Sequence, residues 1–126
     1  MALSVGVDLV ELDRIERVLE RYGVRFLERV YTPDELRLYR ERIPELAARF
    51  AAKEAVSKAL GVGLRYLSSQ GIGWQDVEVL SDPLGKPVVR LSGRAQELAK
   101  EQGLHQWAVS LSHSREQAVA FVVASD

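Results

Sequence analysis

Apolar and polar residues alternate in several short segments of this chain, and a period of two residues is typical of β-strands. In the first segment Val5, Val7 and Leu9 share one face, while Asp8 lies on the other face beside Gly6. The last segment is continuously apolar, which is typical of a buried strand. The predicted strands are residues 3–10, 73–80, 87–91, 106–112 and 118–124, with turns at 82–86 and 113–117.

Other segments repeat their apolar residues every three or four positions, as amphipathic helices do. Thr32 followed by Pro33 and Glu35 predicts a helix start, because Thr can accept from the backbone and Pro fits the first turn. A similar capping box at Asp13 and Glu16 predicts the start of an earlier helix. The predicted helices are residues 13–22, 32–42, 44–60 and 94–102, with a short element at 26–31 and a loop at 64–72.

The helix at residues 44–60 carries a stripe of small side chains, which are Ala48, Ala52, Ala55, Val56 and Ala59. Small side chains let a helix lie close to its neighbour, and Gly61 is typical of a helix C-terminus. Strands and helices do not alternate strictly, so the sequence predicts an α+β fold. We expect a single domain over residues 1–126, with a mostly antiparallel sheet packed by this long helix and by shorter helices.

Composition narrows the classes of function. The 126 residues include 17 basic and 18 acidic side chains, a formal net charge of −1, and no cysteine. This balance argues against nucleic-acid binding through bulk positive charge, and the lack of thiols excludes disulfides, thiolate metal sites and cysteine nucleophiles. The longest apolar run, residues 118–124, is too short to span a membrane, and the first residues do not resemble a signal peptide. We expect a cytoplasmic protein without membrane or nucleic-acid partners.

The C-terminal half of the long helix combines side chains that can act together chemically. Glu54, Ser57 and Lys58 lie on one arc of the helix, on which Phe50 also lies, next to its glycine-flanked end. A purely structural explanation of this arrangement is a solvated ion pair between Glu54 and Lys58, four residues apart on the helix. Asp8, within an apolar strand, costs free energy unless it is paired, capped or metal-bound, and the structural explanation is that it is solvated at the strand end or caps a neighbour. Together with Glu54 it could hold a hard cation such as Mg²⁺, completed by water and substrate phosphate.

Three further features have two explanations each. The segment Gly61-Val62-Gly63 either brings backbone N–H groups to a phosphate or only caps the helix. His113, at the end of a strand, is either a surface residue or a catalytic one. A series of arginines at helical spacing forms either a solvated surface mixed with glutamates or a docking face for an acidic partner. These arginines are Arg14, Arg17, Arg21, Arg25 and Arg29.

Taken together, several segments resemble those of the holo-(acyl-carrier-protein) synthases, which are phosphopantetheinyl transferases. Residues 49–63, RFAAKEAVSKALGVG, are similar to the signature helix of that family. The other similar segments are GVDLVE at 6–11 with Arg14-Ile15, RVYT at 29–32 with Glu35, WQDVEV at 74–79, GKP at 85–87 and VSLSH at 109–113. They follow the order found in the family and cover nearly the whole chain.

The resemblance implies the 4′-phosphopantetheinyl transferase fold and its activity. Such an enzyme moves 4′-phosphopantetheine from coenzyme A to a serine of an apo acyl carrier protein, which activates the carrier for fatty acid synthesis, and releases adenosine 3′,5′-bisphosphate. Asp8 and Glu54 match the family's Mg²⁺ ligands, and Lys58 matches a lysine near the coenzyme A phosphates, so these three are the candidate catalytic residues. The candidate nucleotide-binding residues are Arg49, Phe50, Ser57, Lys58, Gly61, Gly63, Pro87 and His113. The candidate carrier-docking residues are Arg14, Arg21, Arg25, Phe26 and Arg29.

The resemblance also implies an assembly, and the transfer chemistry requires a proton acceptor. The family's small members are homotrimers with each active site between two subunits, so we expect one chain to supply Asp8 and Glu54 and its neighbour to supply nucleotide contacts. Val62 and Ala48 stand where many relatives have Thr and Gly, away from the expected metal ligands. The serine proton goes to Glu54 or to a metal-bound water oriented by Asp8. We favour the water, because a carboxylate that binds metal is a poor base.

Two other functions would use some of the same residues. A magnesium-dependent nucleotide phosphohydrolase would use the same acids without a protein acceptor. A non-catalytic module would only bind nucleotide or carrier protein. The arginine series favours a protein acceptor over simple hydrolysis. Replacement of Glu54 by Gln separates the classes, since both enzymes would lose function and the binding module would not.

Overall fold

Residues 1–65 and 69–126, which the structure describes, form five helices and five strands in a computed structural model. The helices are α1 (Leu12–Tyr22), α2 (Val24–Val30), α3 (Pro33–Tyr39), α4 (Ile43–Leu60) and α5 (Gly93–Glu101). The strands are β1 (Leu3–Glu11), β2 (Val77–Ser81), β3 (Pro87–Leu91), β4 (Gln106–His113) and β5 (Gln117–Ser125), and a 3₁₀ turn at Trp74–Asp76 precedes β2. No helix of this described part is long and apolar enough to cross a membrane.

Two antiparallel sheets confirm the predicted α+β class. The main sheet has the order β1-β5-β4, so the first strand pairs with the last one, with Leu3 opposite Ser125 and Glu11 opposite Gln117. The strands β2 and β3 form a separate hairpin. Helix α4 packs across β1 and β5. The predicted stripe of small residues on α4 is buried, at Ala48, Ala52, Ala55, Val56 and Ala59.

Strand β1 lies directly against α4 at Gly6. A Cβ atom on this residue would overlap the carbonyl oxygen of Ala55 and crowd the backbone nitrogen of Ala59. Beside it the Ser4 hydroxyl donates to the Ala59 carbonyl oxygen at 2.6 Å. The two backbones leave no room for a side chain, so glycine is required here. Because side chains alternate along a strand, Asp8 faces the helix as Gly6 does.

The helix signals at Thr32 and Gly61 act as predicted. The Thr32 hydroxyl accepts from the Glu35 N–H at 3.2 Å, and the Glu35 carboxylate accepts from the Thr32 N–H at 2.9 Å. This reciprocal capping box starts α3. Gly61 ends α4 with a φ of 79°, in the left-handed region.

Two predicted helix boundaries are wrong. Asp13 does not cap α1, because that helix already begins at Leu12, and the Asp13 carboxylate instead pairs with Arg17 at 3.1 Å. Helix α3 ends at Tyr39 rather than at Arg42. The next helix begins at residue 43, so the intervening residues are needed to turn the chain between the two helices.

The segment before β2 also differs from the prediction. Residues 74–76 form a 3₁₀ turn instead of the start of a strand, because the Asp76 carboxylate accepts from the Gly73 N–H at 3.0 Å and closes the turn. The short element at 26–31 is the helix α2. Of the loop predicted at 64–72, residues 66–68 lie outside the described residues.

Lys53 and Glu35 form a completely buried ion pair between α4 and α3. Their charged atoms lie 2.9 Å apart, and both side chains have an exposed fraction of 0%. The Lys53 ammonium also donates to the carbonyl oxygens of Trp74 and Val77, and Glu35 accepts from the Val79 N–H at 2.8 Å. Burial lowers the pKa of Lys53, and the carboxylate of Glu35 opposes this shift. The pair therefore ties α3, α4 and β2 together.

The outer face of the main sheet, which points away from α4, is apolar and exposed. Its large exposed side chains are Leu3, Val5, Val7 and Leu9 on β1 and Phe121 on β5. Val7 is paired directly with Phe121. The alternation predicted for β1 is therefore confirmed, with its apolar side turned outward. Contiguous exposed apolar surfaces are typical of protein–protein interfaces.

Replacement of Lys53 by Met should lower the free energy of unfolding by about 3–5 kcal/mol, because it leaves the buried Glu35 carboxylate without a cation. Urea unfolding followed by circular dichroism measures this loss. The exposed Lys100 on α5 is the matched control. Its replacement by Met should change the same free energy by about 0.5 kcal/mol or less.

The double variant Lys53→Met/Glu35→Gln tests whether the two groups act as one unit. Glutamine keeps an oxygen for the Val79 N–H and carries no charge, so the double variant should unfold at a higher urea concentration than Lys53→Met alone. Strictly additive losses from the two single substitutions would contradict a coupled buried pair.

Candidate active site

Lys58 of α4 contacts Asp8 of β1 where the helix lies on the sheet. The Lys58 Nζ donates to Asp8 Oδ1 at 2.9 Å and to the Val7 carbonyl oxygen at 3.1 Å. The Asp8 side chain is 14% exposed and the Lys58 side chain is 54% exposed. The Asp8 carboxylate is therefore paired with Lys58 rather than solvated at the strand end, and its binding of a metal stays a prediction. Segments 50 residues apart in the sequence meet at this point.

Glu54 lies one helical turn before Lys58 on α4 and is half-buried. Residues four apart on a helix share a face, so this carboxylate belongs to the same part of the surface. In proteins Mg²⁺ is held by one or two carboxylates and several waters, and substrate phosphates complete its shell. Asp8 and Glu54 fit this donor set. Across residues 1–65 and 69–126, no group of three or more acidic or histidine side chains could hold a metal, and the candidate set here is these two carboxylates.

The glycines after α4 close the helix. Gly61 and Gly63 have φ values of 79° and 70°, which L side chains rarely adopt. The Gly61 N–H donates to the Lys58 carbonyl oxygen at 3.0 Å, and the Val62 and Gly63 N–H groups donate to that of Ser57 at 3.2 and 3.4 Å. These bonds support the capping explanation, and the approach of these N–H groups to a phosphate stays a prediction. Among the described atoms, none lies within 4 Å of a Cβ built on either glycine, so the adjacent surface is open.

Arg49 lies inside the protein, with an exposed fraction of 1%. Its guanidinium donates to the Val79 carbonyl oxygen at 2.9 Å and to the Ser81 hydroxyl at 3.3 Å, and pairs with Glu45 at 3.2 Å. It also lies 3.8 Å from the centre of the Tyr39 ring. Arg49 therefore fastens α4 to β2, and its predicted contact with the nucleotide stays a prediction.

Ser57 and Phe50 are also more buried than the helical arc suggested. Ser57 is 3% exposed, and its hydroxyl donates to the Glu54 carbonyl oxygen at 2.6 Å. Only its oxygen lone pairs remain for a ligand. The Phe50 ring packs 4.7 Å from that of Trp74 and 6.1 Å from that of Phe26, measured between ring centres. The structure therefore groups Phe50 with a predicted docking residue, and of the predicted arc only Lys58 is exposed.

A groove of about 630 Å³ lies between α1, α2 and the middle of α4. Its apolar floor includes Ile15, Val18, Phe26, Phe50 and Trp74. Its rim carries the exposed side chains of Arg14, Arg25 and Arg29, and the Arg14 guanidinium lies 5.7 Å from the centre of the Phe50 ring. Four of the five predicted docking residues therefore line one groove. Arg21 lies just outside it, over the ring of Tyr22.

An apolar floor under a cationic rim suits a negatively charged, amphipathic segment of a partner. Arg17, which belongs to the same sequence series, pairs with Asp13 and does not line the groove. The arginine series thus divides into a solvated member and members that share one concave surface. The solvated explanation holds for Arg17, and a docking role for the groove arginines stays a prediction.

His113 and Pro87 lie on strands other than β1. His113 is exposed at the end of β4, and Pro87 opens β3 opposite Ser81. Neither takes part in the hydrogen bonds that join Lys58 to Asp8. Their nucleotide contacts stay a prediction.

The sequence reading missed Trp74 and Tyr22 as groove residues. Tyr22 follows Val18 and Arg14 at steps of four, which places all three on one helix face, so the spacing could have revealed it. The position of Trp74 depends on its carbonyl oxygen, which accepts from the buried Lys53 ammonium at 3.1 Å. No local sequence pattern signals that long-range contact.

Comparison with known proteins finds relatives of one family over nearly the whole chain. The sequence model of the 4′-phosphopantetheinyl transferase superfamily matches residues 4–122. The chain is 50% identical to a holo-(acyl-carrier-protein) synthase of Herpetosiphon aurantiacus, over 96% of this chain and 97% of that protein. It is 47% identical to one of Dehalococcoides mccartyi, over 98% and 99%.

Solved structures agree with the sequence comparison. The Helicobacter pylori holo-(acyl-carrier-protein) synthase in complex with coenzyme A superposes with a TM-score of 0.84 at 33% identity, covering 96% of this chain and 99% of that one. The enzyme from Neisseria meningitidis also gives 0.84, at 35% identity and 98% of both chains. This chain belongs to the holo-(acyl-carrier-protein) synthases of the 4′-phosphopantetheinyl transferase superfamily.

Proposed function

We propose that Asp8, Glu54 and Lys58 mark the active site of this chain. As a member of its family, the chain transfers 4′-phosphopantetheine from coenzyme A to a serine of an apo acyl carrier protein. The observation that carries this proposal is the contact of Lys58 with Asp8. It joins the β1 segment to the signature helix, so two acids and a base of the predicted catalytic set share one partly exposed surface.

Asp8 and Glu54 are the residues that would hold Mg²⁺. When bound there, the ion would neutralise charge on the pyrophosphate of coenzyme A. Lys58 adds a positive charge at the same surface, and its half-exposed side chain can reach outward to a phosphate. A cation next to the leaving phosphate stabilises the negative charge that develops in phosphoryl transfer.

The reaction needs no nucleophile from this chain. The serine oxygen of the carrier forms a bond to the phosphorus that bears the pantetheine. The bond from that phosphorus to the bridging oxygen breaks, and adenosine 3′,5′-bisphosphate leaves with the electron pair. The proton of the serine goes to Glu54 or to a water oriented by Asp8, and the chain's part is to position that acceptor.

The nucleotide half of coenzyme A is proposed to lie over the end of α4. The surface beside Gly61 and Gly63 is open, and side chains at either position would strain the backbone. Ser57 still offers oxygen lone pairs nearby. Pro87 and His113 are assigned to the same ligand from a neighbouring subunit.

The carrier protein is proposed to dock in the arginine-rimmed groove. Arg14, Arg25 and Arg29 would meet acidic side chains of the carrier, with Arg21 at the edge, and the aromatic floor at Phe26 would take an apolar side chain. Phe50 belongs both to this floor and to the signature helix. The groove and the Asp8–Lys58 contact therefore share one scaffold.

A homotrimer is proposed to form through the outer face of the main sheet. Val5, Val7, Leu9 and Phe121 are all at least 45% exposed there. Burial of these apolar side chains in an interface stabilises the assembly by about 25 cal/mol per Å² of apolar surface removed from water. Association through this face would let one chain supply the acids and its neighbour the nucleotide contacts. Cytoplasmic location stays a prediction from the sequence.

Incubation of an apo acyl carrier protein with this protein, coenzyme A and Mg²⁺ should add one phosphopantetheine to each carrier. Intact-protein mass spectrometry reads the gain, and a chelator should abolish it. Glu54→Gln should slow the transfer by about 100-fold or more. Asp8→Asn should lower turnover more than it lowers coenzyme A binding, as measured by calorimetry.

Other results would favour the other functions. Nucleotide cleavage without any carrier would indicate a phosphohydrolase. Bound coenzyme A with no modification of several carriers, and no effect of Glu54→Gln on binding, would indicate a binding module. Unchanged turnover in Asp8→Asn would contradict the assignment of Asp8.

Charge reversal at the groove rim should weaken carrier docking. Arg25→Glu is expected to raise the KM for the carrier about tenfold with little change in kcat, since a rim charge acts on encounter more than on chemistry. The matched control is Arg17→Glu, an exposed arginine on α1 that lies outside the groove. Equal effects of the two variants would point to net charge and contradict a specific docking groove.

A charge on the outer sheet face should prevent trimer formation. Phe121→Lys is expected to shift the mass measured by light scattering from that of a trimer to that of a monomer, because an unpaired charge would be buried. Leu84→Lys is the control, since Leu84 is 95% exposed on the β2–β3 turn and lies off this face. A Phe121→Lys protein that remains trimeric would place the interface elsewhere.

A further inference from the structure

We propose that the Lys58 ammonium is an internal counter-cation at the metal site. It pairs with the Asp8 carboxylate until a divalent cation binds that carboxylate and displaces the ammonium. Metal binding then releases the Lys58 ammonium toward the phosphates of coenzyme A. The inference rests on the proposed function, because it requires Asp8 to be a metal ligand. It adds a coupling between the metal and the nucleotide that the assignment of ligands alone does not contain.

The contact has the geometry of a held carboxylate. The Lys58 Nζ bonds Asp8 Oδ1 at 2.9 Å and the Val7 carbonyl oxygen at 3.1 Å, so two acceptors of one strand hold a single ammonium. The Asp8 side chain is mostly buried, and a carboxylate in such a place needs a cation or donors to offset its desolvation. Lys58 supplies that cation from across the helix–sheet interface.

The same contact is easily exchanged. More than half of the Lys58 side chain is exposed, and an ion pair with one solvated member is weak. Its flexible four-carbon stem lets the ammonium move without any change in the backbone. Lys53, on the same helix, is the opposite case, because it is fully buried and bonds Glu35 and two backbone carbonyl groups. Helix α4 therefore carries one fixed lysine and one that can be displaced.

A divalent cation and an ammonium repel each other when they share one carboxylate. A metal ion at Asp8 therefore weakens the bond from Lys58, and a phosphate that attracts Lys58 frees Asp8 for the metal. The metal ion thus takes Asp8 from the Asp8–Lys58 contact, and the phosphate takes Lys58 from it. The two should bind with positive coupling, and this coupling should depend on the charge at residue 58.

Binding of Mn²⁺ to the protein without coenzyme A tests the proposal, with free Mn²⁺ read by electron paramagnetic resonance. Lys58→Gln should bind Mn²⁺ about three- to tenfold more tightly than the unmodified protein, because the competing charge is gone. Lys100→Gln, which changes net charge equally at an exposed site on α5, should leave the affinity unchanged. Addition of coenzyme A should tighten Mn²⁺ binding more in the unmodified protein than in Lys58→Gln.

The outcomes separate this inference from the metal site itself. Equal Mn²⁺ affinities of Lys58→Gln and the unmodified protein would overturn the counter-cation role and leave Asp8 and Glu54 as ligands. No Mn²⁺ binding by any of the three proteins would overturn both. Circular dichroism of each variant shows that it is folded, so a lower affinity in a folded Lys58→Gln protein would also contradict the proposal.

Discussion

The direct contact of β1 with α4 sets the position of the candidate catalytic groups. Gly6 lies so close to the Ala55 carbonyl oxygen that any side chain would force the strand and helix apart. Two positions farther along the strand, Asp8 meets the Lys58 ammonium. The close approach at Gly6 therefore holds the two backbones at a separation at which Lys58 reaches Asp8. The strand's smallest residue therefore determines where its acid lies.

The charged residues of helix α4 fall into a buried set that holds the fold together and a more exposed set that belongs to the candidate active site. Arg49 and Lys53 are buried, and both bond backbone carbonyl oxygens of β2. Such burial is costly unless every donor has a partner, and these partners fix the helix against the hairpin. Glu54 and Lys58 follow on the part of α4 that approaches solvent. The buried cations hold the helix still, so that the exposed groups keep their places relative to β1.

The sequence predicted most elements because their signals are local. Alternation found β1, and the Thr32 box and Gly61 marked helix ends by contacts within a few residues. The helical arc on α4 did not predict the burial of Phe50 and Ser57, because this helix is covered on nearly all sides and its apolar and charged residues do not separate into two faces. The burial of Arg49 and the place of Trp74 depend on bonds between distant segments, which spacing within one helix or strand does not encode.

The pairing of β1 with β5 has a consequence for how the protein is made. Leu3 lies opposite Ser125, so the sheet on which α4 packs is incomplete until the strand at residues 117–125 has left the ribosome. Until then β1 has no paired strand along its edge, and the position of Asp8 relative to α4 is not fixed. Pairings between distant segments form slowly, because a long loop must close first. The main sheet, and with it the candidate active site, is therefore expected to be among the last parts of this chain to form.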